Sequence, residues 1–243
     1  MAFTKTYQTA EAAQQAAAHH AWLAGLGMAV PRLNARRASV LDFETIHGRH
    51  LGPDELPAAA RLLGEVHTAA YRGALNRARL NESFRLPGVG TLAAFTAPRI
   101  ARVRHLLDSG SVPGPAFTAD QAARIIDGTA GQPAAFYKDA NPRNFLTGPT
   151  GIVAVDFDDL TLAPFGYDLA KLIVTTAMTH GLLPDHATEQ ALDAYNQYVP
   201  HPCTRQRLNE WMEIHHILTS PYLGRNGYTN GWHTLRPTEA RTP

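Results

Sequence analysis

Three oxygen-bearing side chains fall within one segment, AAFYKDANPRNFLTGPTGIVAVDFDDLTLAPFGYDLAKL, residues 134–172. An apolar lead-in delivers Asp139, and Asn144 follows with four residues between them. A Gly-containing turn at Gly148 to Gly151 comes next, and the β-type run Ile152-Val153-Ala154-Val155 ends on Asp156. One carboxylate and one amide separated by a hairpin suit a hard divalent cation. Mg²⁺ takes oxygen ligands, keeps several waters, and is held by one or two carboxylates plus substrate phosphates. That leaves Asp139 where a base could orient a hydroxyl. These dispositions are those of phosphoryl transfer, in which a protein mainly positions groups and neutralises charge.

The pattern D-x-x-x-x-N, then V-D-F-D, then G-Y-D-L-A resembles the catalytic region of the aminoglycoside phosphotransferase-like kinases, small-molecule relatives of the protein kinases. The resemblance implies ATP and Mg²⁺, with Asp139 as catalytic base and Asn144 and Asp156 as metal ligands. It also implies Asp168 as a structural carboxylate beneath the loop. The family usually carries His-Gly before its catalytic Asp, where this chain has Tyr137-Lys138. Lys138 either favours the ionised Asp139 or, with Arg143, contacts a phosphate or an acidic substrate; the other reading of both is an exposed charge without a role. Asp158 and Asp159 read as solvated loop carboxylates, with Asp158 the alternative ligand for a second Mg²⁺. Asp168 reads as the N-cap of the helix that follows.

The elements that must position these groups follow from periodicity. Phe3 to Tyr7 alternates as a short strand, and Thr9 caps an Ala-rich helix running to Gly27, with Glu11 in its first turn. Pro31 precedes two β-like pieces, Arg32 to Arg37 and Ser39 to Ile46, and His47-Gly48-Arg49 reads as a turn. In the family's register Lys5 is the strand lysine that meets the α- and β-phosphates. Residues 44 to 49, with Glu44 and Ile46, form the hinge facing the adenine edge. The bland reading of Lys5 is a solvated charge near a terminus. No Gly-rich phosphate-covering loop precedes Lys5, and the helix offers no mid-helix Glu to pair with it. Either the lobe is reduced, or the reading frame starts upstream of Met1.

Leu56, Ala59, Ala60, Leu63, Val66 and Ala70 form the stripe of an amphipathic helix between Pro53 and Leu75, with His67 beside it as a core histidine. The arginines between Arg72 and Arg104 are scattered, which fits a solvated face and not a nucleic-acid patch. Further helices are expected from Thr96 to Leu107 and Thr118 to Asp127. Three more should run from Asp168 to His180, from Pro184-Asp185 through Tyr195, and from Cys203 to Leu218. The Gly-, Asn- and aromatic-rich tail is expected to be disordered after Arg236.

With 243 residues, 44% hydrophobic and 18% charged, the chain suits one large domain or two small lobes. A formal charge of +1 excludes a global field for nucleic acid or a membrane surface. No apolar run is long enough to span a bilayer, and no signal peptide is read. The single Cys203 fits a reducing cytoplasm. The adjacent pairs His19-His20 and His215-His216 diverge by about 100° on a helix and read as partly buried or surface residues, not metal ligands.

The expected fold is therefore mixed α/β (α+β) and protein-kinase-like. A reduced N-terminal β lobe, residues 1–47, would precede a mostly helical catalytic lobe, residues 48–243, with nucleotide in the cleft between them. The expected activity is ATP-dependent transfer of a phosphoryl group to a hydroxyl of a small molecule, an antibiotic or aminoglycoside-like metabolite. The alternative is a kinase-like module that meets a peptide or partner protein in peptide modification.

Overall fold

The computed structural model describes residues 2–184 and 186–236. Strand β1 (Ala2–Thr6) is followed by α1 (Ala10–Gly25), then β2 (Leu33–Arg37) and β3 (Val40–Glu44), which form an antiparallel sheet in the order β1-β3-β2. Thr9 caps α1, its hydroxyl accepting from the Ala12 amide. The buried positions of α1 are Ala13, Ala16, Ala17, His19, His20 and Leu23. Small side chains let the helix lie close to the sheet, where Leu41 and Phe43 are buried.

The chain then runs extended into β4 (Arg49–His50) and helix α2 (Leu56–Gly73). The predicted turn at His47-Gly48-Arg49 is absent, and Arg49 opens a strand instead. A Cβ on Gly48 would lie 2.8 Å from the Thr147 carbonyl, so the missing side chain permits this close lateral approach. All six predicted stripe residues of α2 are buried, Leu56, Leu63 and Val66 each worth about 1.5–3 kcal/mol of transfer free energy and the three alanines less.

A hairpin, β5 (Phe84–Leu86) with β6 (Gly90–Leu92), precedes α3 (Thr96–Asp108) and α4 (Ala119–Asp127). The Thr118 hydroxyl and the Gln121 side chain cap α4 reciprocally. Next come β7 (Ala134–Tyr137), β8 (Phe145–Gly148), β9 (Gly151–Ala154) and β10 (Thr161–Pro164). Strand β10 pairs with β7, and β8 lies between β4 and β9. The three-residue strands of the hairpin and the Pro-ended β10 are too short for periodicity to reveal.

Helix α5 (Tyr167–His180) is buried at every position from Tyr167 to Met178, as a segment apolar on every side but for Asp168, Lys171 and its threonines would be, and it forms the axis of this part. Around it stand α6 (Ala187–Asn196), α7 (Arg205–Thr219) and the short α8 (Trp232–Leu235). Thr204 caps α7, whose first residue, Arg205, lies two residues inside the predicted start at Cys203. At Gly64 a Cβ would meet the Tyr195 carbonyl at 2.6 Å, so glycine sets the close packing of α2 on α6. The expected opening of α6 at Asp185 and the expected disorder of the tail after Arg236 lie outside the described residues. No helix among the described residues is long and apolar enough to cross a membrane.

The four paired histidines are all buried, deeper than expected, and each directs a ring nitrogen at a backbone carbonyl: His19 at Asp158, His20 at Pro31, His215 at Tyr167 and His216 at Pro113.

Candidate active site

Strand β7 feeds a loop in which Asp139 takes a left-handed backbone conformation, φ 63°. Such a conformation is costly for a side chain with a Cβ and persists only where surroundings enforce it. Here the enforcement comes from α5. The buried Asp168 carboxylate accepts the Lys138 amide at 3.0 Å and the Ala140 amide at 2.7 Å, gripping the loop on both sides of Asp139. Asp168 does not cap its own helix, because Gly166, at φ 83°, holds the N-cap position. The buried Asn144 side chain donates to the Asp139 carbonyl at 2.9 Å, which leaves its amide oxygen free of that contact.

Asp156 also sits at positive φ, 57°. The turn that holds it is tied to the loop twice. The Val155 amide donates to the Asn144 carbonyl at 2.9 Å, and Lys138 Nζ donates to the carbonyls of Val155 at 2.9 Å and Asp156 at 3.1 Å. Lys138 is fully buried against the Phe145 ring, so it is neither exposed nor aimed at a phosphate. From the N-terminal sheet, Lys5 Nζ reaches Asp156 Oδ1 at 2.8 Å and Asp158 Oδ2 at 2.6 Å. Asp158 also accepts from the Tyr7 hydroxyl at 3.0 Å, so it is not the free loop carboxylate expected, whereas Asp159 is exposed. In α1 it is His19, not a glutamate, that meets this turn, through the carbonyls of Phe157 and Asp158.

Asp139 itself is half-buried. Its Oδ1 accepts from the Tyr137 hydroxyl at 2.6 Å and faces Lys171 Nζ at 3.1 Å. Burial alone would raise its pKa, but Lys171 and the Tyr137 hydrogen bond outweigh it and hold the carboxyl below its ordinary value. Burial pushes Asp168 up to about 6 and lowers Lys138, while Asp168 and Asp139 pull the ammonium back toward its charged form. Lys5 is raised because Asp156 and Asp158 overcome its desolvation. His67 is fully buried, bonded through Nδ1 to the Tyr195 hydroxyl at 2.8 Å and driven to about 3 by burial; it is a core residue.

Beside Asp139 lies a cleft of about 440 Å³, walled by α3, the loop that carries Asp139, α5, α7 and residues of the tail. Lys171 and His215 line it, and so do Arg99 and Tyr228, none of which sequence reasoning had connected to the site. The tail's aromatic content was the available signal. Tyr228 and Trp232 are buried, and Tyr228 lies under the Arg143 guanidinium. At the other end of the site, both the amide and the carboxylate of Glu44 are engaged with Arg32. Ile46 lies half-buried on the extended link to β4.

Asp139, Asn144, Asp156 and Lys5 are thus joined through a continuous set of hydrogen bonds and ion pairs, while Glu44 is turned away toward β2. Among the described residues no group of three His, Cys, Asp or Glu side chains could hold a metal ion. A site of one amide and one carboxylate needs further oxygens from elsewhere.

The family model described as "Phosphotransferase enzyme family" matches residues 3–203. The chain belongs to that family. A search of curated proteins gives no match. Solved structures of similar fold include a glucosamine kinase in complex with glucosamine, ADP and inorganic phosphate, at 16% identity and TM-score 0.65, covering 96% of this chain and 74% of that one. A choline/ethanolamine kinase family protein from Mesorhizobium loti has 17% identity and TM-score 0.62, covering 100% of this chain and 83% of that one. Macrolide 2'-phosphotransferase MphH from Brachybacterium faecium has 13% identity and TM-score 0.60, covering 91% and 76%. At these identities the likeness is one of fold. The expected mixed α/β, kinase-like architecture is the observed one.

Proposed function

We propose that this member of the phosphotransferase enzyme family transfers the γ-phosphoryl group of Mg²⁺-ATP to a hydroxyl of a small molecule. The observation that carries the reading is the joining of Asp139, Asn144, Asp156 and Lys5 at the boundary between the N-terminal sheet and the helical part. We place the boundary near residue 47, with nucleotide between residues 1–47 and 48–243. The extended link bearing Ile46 faces the adenine edge. Glu44, committed to Arg32, is left out of that role.

The donor set fits Mg²⁺: hard oxygens from Asn144 and Asp156, with Asp156 exposed enough to leave positions for water and phosphate. When bound, the metal neutralises charge on the transferring phosphoryl group. Lys5 sits where it can exchange an Asp156 or Asp158 partner for a phosphate oxygen. Asp139 accepts the acceptor's hydroxyl hydrogen bond and aims its oxygen at the γ-phosphorus. As the new O–P bond forms, the bond to the β,γ-bridging oxygen breaks, ADP leaves, and the hydroxyl proton passes to Asp139. Held ionised by Lys171, Asp139 is a weak base. That suffices for a loose transition state, in which orientation matters more than deprotonation.

The test is thermal denaturation with Mg²⁺-ATP. For a Kd of about 0.1 mM, 1 mM nucleotide should stabilise by about 1.4 kcal/mol, or roughly 3–5 °C. Asp156→Ala should keep the fold by circular dichroism and lose both the Mg²⁺-dependent part of that shift and phosphoryl transfer. Undiminished transfer in Asp156→Ala removes the metal assignment. A second reading, a module that binds a peptide or partner protein without turnover, is favoured by one observation: α1 gives Lys5 no glutamate, and Lys5 is occupied by Asp156 and Asp158. Absence of any nucleotide shift selects it.

A further inference from the structure

The cleft beside Asp139 is cationic. Arg99, Arg102, Arg143 and Lys171 line it against the single carboxylate of Asp139, which Lys171 already neutralises. Among the described residues none of the three arginines has a carboxylate within ion-pair distance. Arg99 donates to the Thr161 hydroxyl at 3.1 Å, and Arg143 Nε is buried without a hydrogen-bond partner. One further polar atom there lacks a partner, Nδ1 of the buried His215. A pocket meant for a cation would instead present carboxylates or open aromatic faces. Four tyrosines line this one; Tyr222 at the rim is exposed, but Tyr137, Tyr167 and Tyr228 each have a face covered from within. The Arg99 guanidinium lies over the rings of Tyr137 at 5.1 Å and Tyr167 at 5.8 Å, and that of Arg143 over Tyr228 at 5.1 Å. An ammonium approaching Tyr137, Tyr167 or Tyr228 would meet a guanidinium group on the ring it sought.

We infer that the hydroxyl acceptor of this enzyme carries an anionic group, a carboxylate or a phosphate, held by Arg99, Arg102 and Arg143 while its hydroxyl faces Asp139. This rests on the phosphotransferase reading above and excludes an aminoglycoside-like polycation as the acceptor. Planar guanidinium forks suit either oxyanion, and burial of Arg143 Nε makes a charge-assisted hydrogen bond there stronger than at a surface. His215, which donates through Nε2 to the Tyr167 carbonyl at 2.9 Å, offers Nδ1 as an acceptor for a second hydroxyl of the same molecule.

Matched pyranoses test the idea: glucuronate and glucose 6-phosphate as anions, glucose as the neutral form and glucosamine as the cation. Binding is read by calorimetry without nucleotide at constant ionic strength. One or both anionic sugars should bind at least about tenfold more tightly than glucose, and glucosamine should bind weakest. Which of the two wins separates a carboxylate from a phosphate. Arg99→Gln, and separately the Arg102→Gln/Arg143→Gln double variant in case the change at the half-buried Arg99 disturbs folding, should each remove that preference. Lys5→Ala should keep it, because Lys5 belongs to the nucleotide end. Equal or tighter binding of glucosamine overturns the inference, as does no preference for either anionic sugar. Anion binding lost in Lys5→Ala but kept in the arginine variants overturns it too. Failure of the phosphotransferase reading would show separately, as anion binding in the cleft without any Mg²⁺-ATP-dependent shift.

Discussion

Replacing Lys138 by methionine isolates the link between the two halves of the catalytic machinery. The ammonium donates at 2.9 and 3.1 Å to the carbonyls of Val155 and Asp156, one on each side of the Asp156 Cα, from a residue next to Asp139. Each hydrogen bond from a charged donor is worth about 1.5–3 kcal/mol net, so the gross loss is about 3–6 kcal/mol. Methionine fills nearly the same volume against Phe145 and removes the cost of keeping a charge in a fully buried position, which lowers the pKa of Lys138. Setting one against the other, a net loss of about 2–3 kcal/mol is expected, or a Tm lower by roughly 5–10 °C in a chain of this size.

The more telling readout is metal dependence. Asp156 occupies a positive-φ conformation that loses its clamp in Lys138→Met, so half-maximal activity should need about tenfold more Mg²⁺, while the KM for ATP at saturating Mg²⁺ stays close to wild type. Urea denaturation and a Mg²⁺ titration of turnover suffice. A variant as stable as wild type with a raised KM for ATP refutes the reasoning, because it would mean that Lys138 contacts phosphate after all.

Three other perturbations follow from the same packing. Asp168 titrates near 6 in the folded chain against its ordinary 3.8, so the native state binds its proton more tightly. Its contribution is complete below about 3.8 and declines by about 3 kcal/mol as pH rises to about 6 and beyond; Asp168→Asn should abolish that slope in urea midpoints measured between pH 4 and 7. Tyr195→Phe leaves His67 Nδ1 and the Gly166 amide without partners and should cost about 1–3 kcal/mol by chemical denaturation, since Gly166 starts the helix that carries Asp168 and Lys171. Gly64→Ala forces a Cβ to within 2.6 Å of the Tyr195 carbonyl, and a loss of about 1–3 kcal/mol or more is expected in the same assay; an unchanged midpoint would show that α2 and α6 separate at little cost.

What could be read in advance depended on whether a residue's partner lay nearby in the chain. The α2 stripe was legible because helical periodicity puts Leu56, Leu63 and Val66 on one face without reference to anything distant. Asp139, Asn144 and Asp156 were legible as a group because a loop and one hairpin carry them together. Lys138 was not. A lysine next to an acid reads as that acid's charge partner, a phosphate contact or a solvated charge, and burying it requires two carbonyls from the Val155–Asp156 turn to arrive as acceptors. Composition cannot show that. The arginines of α3 and the tyrosines of the tail failed for the same reason: each looked like an ordinary surface residue until Arg99 was laid across Tyr137 and Tyr167, and Arg143 over Tyr228.

Helix α5 shows how far a local motif reaches. Asp168 and Lys171 are three residues apart, one turn on the same face. Asp168 grips the loop amides from below, and Lys171 meets the carboxylate of Asp139 from the side. The first half of that arrangement was implied by the G-Y-D-L-A resemblance. The second was not, because in the sequence Lys171 reads only as a residue continuing the helix. Yet the two act on one residue, so a rotation of α5 by a few degrees would loosen the backbone of Asp139 and release its carboxylate together. The Gly166 turn and the Tyr195 hydroxyl that holds it therefore constrain the reacting end of the cleft from a position that contacts no substrate.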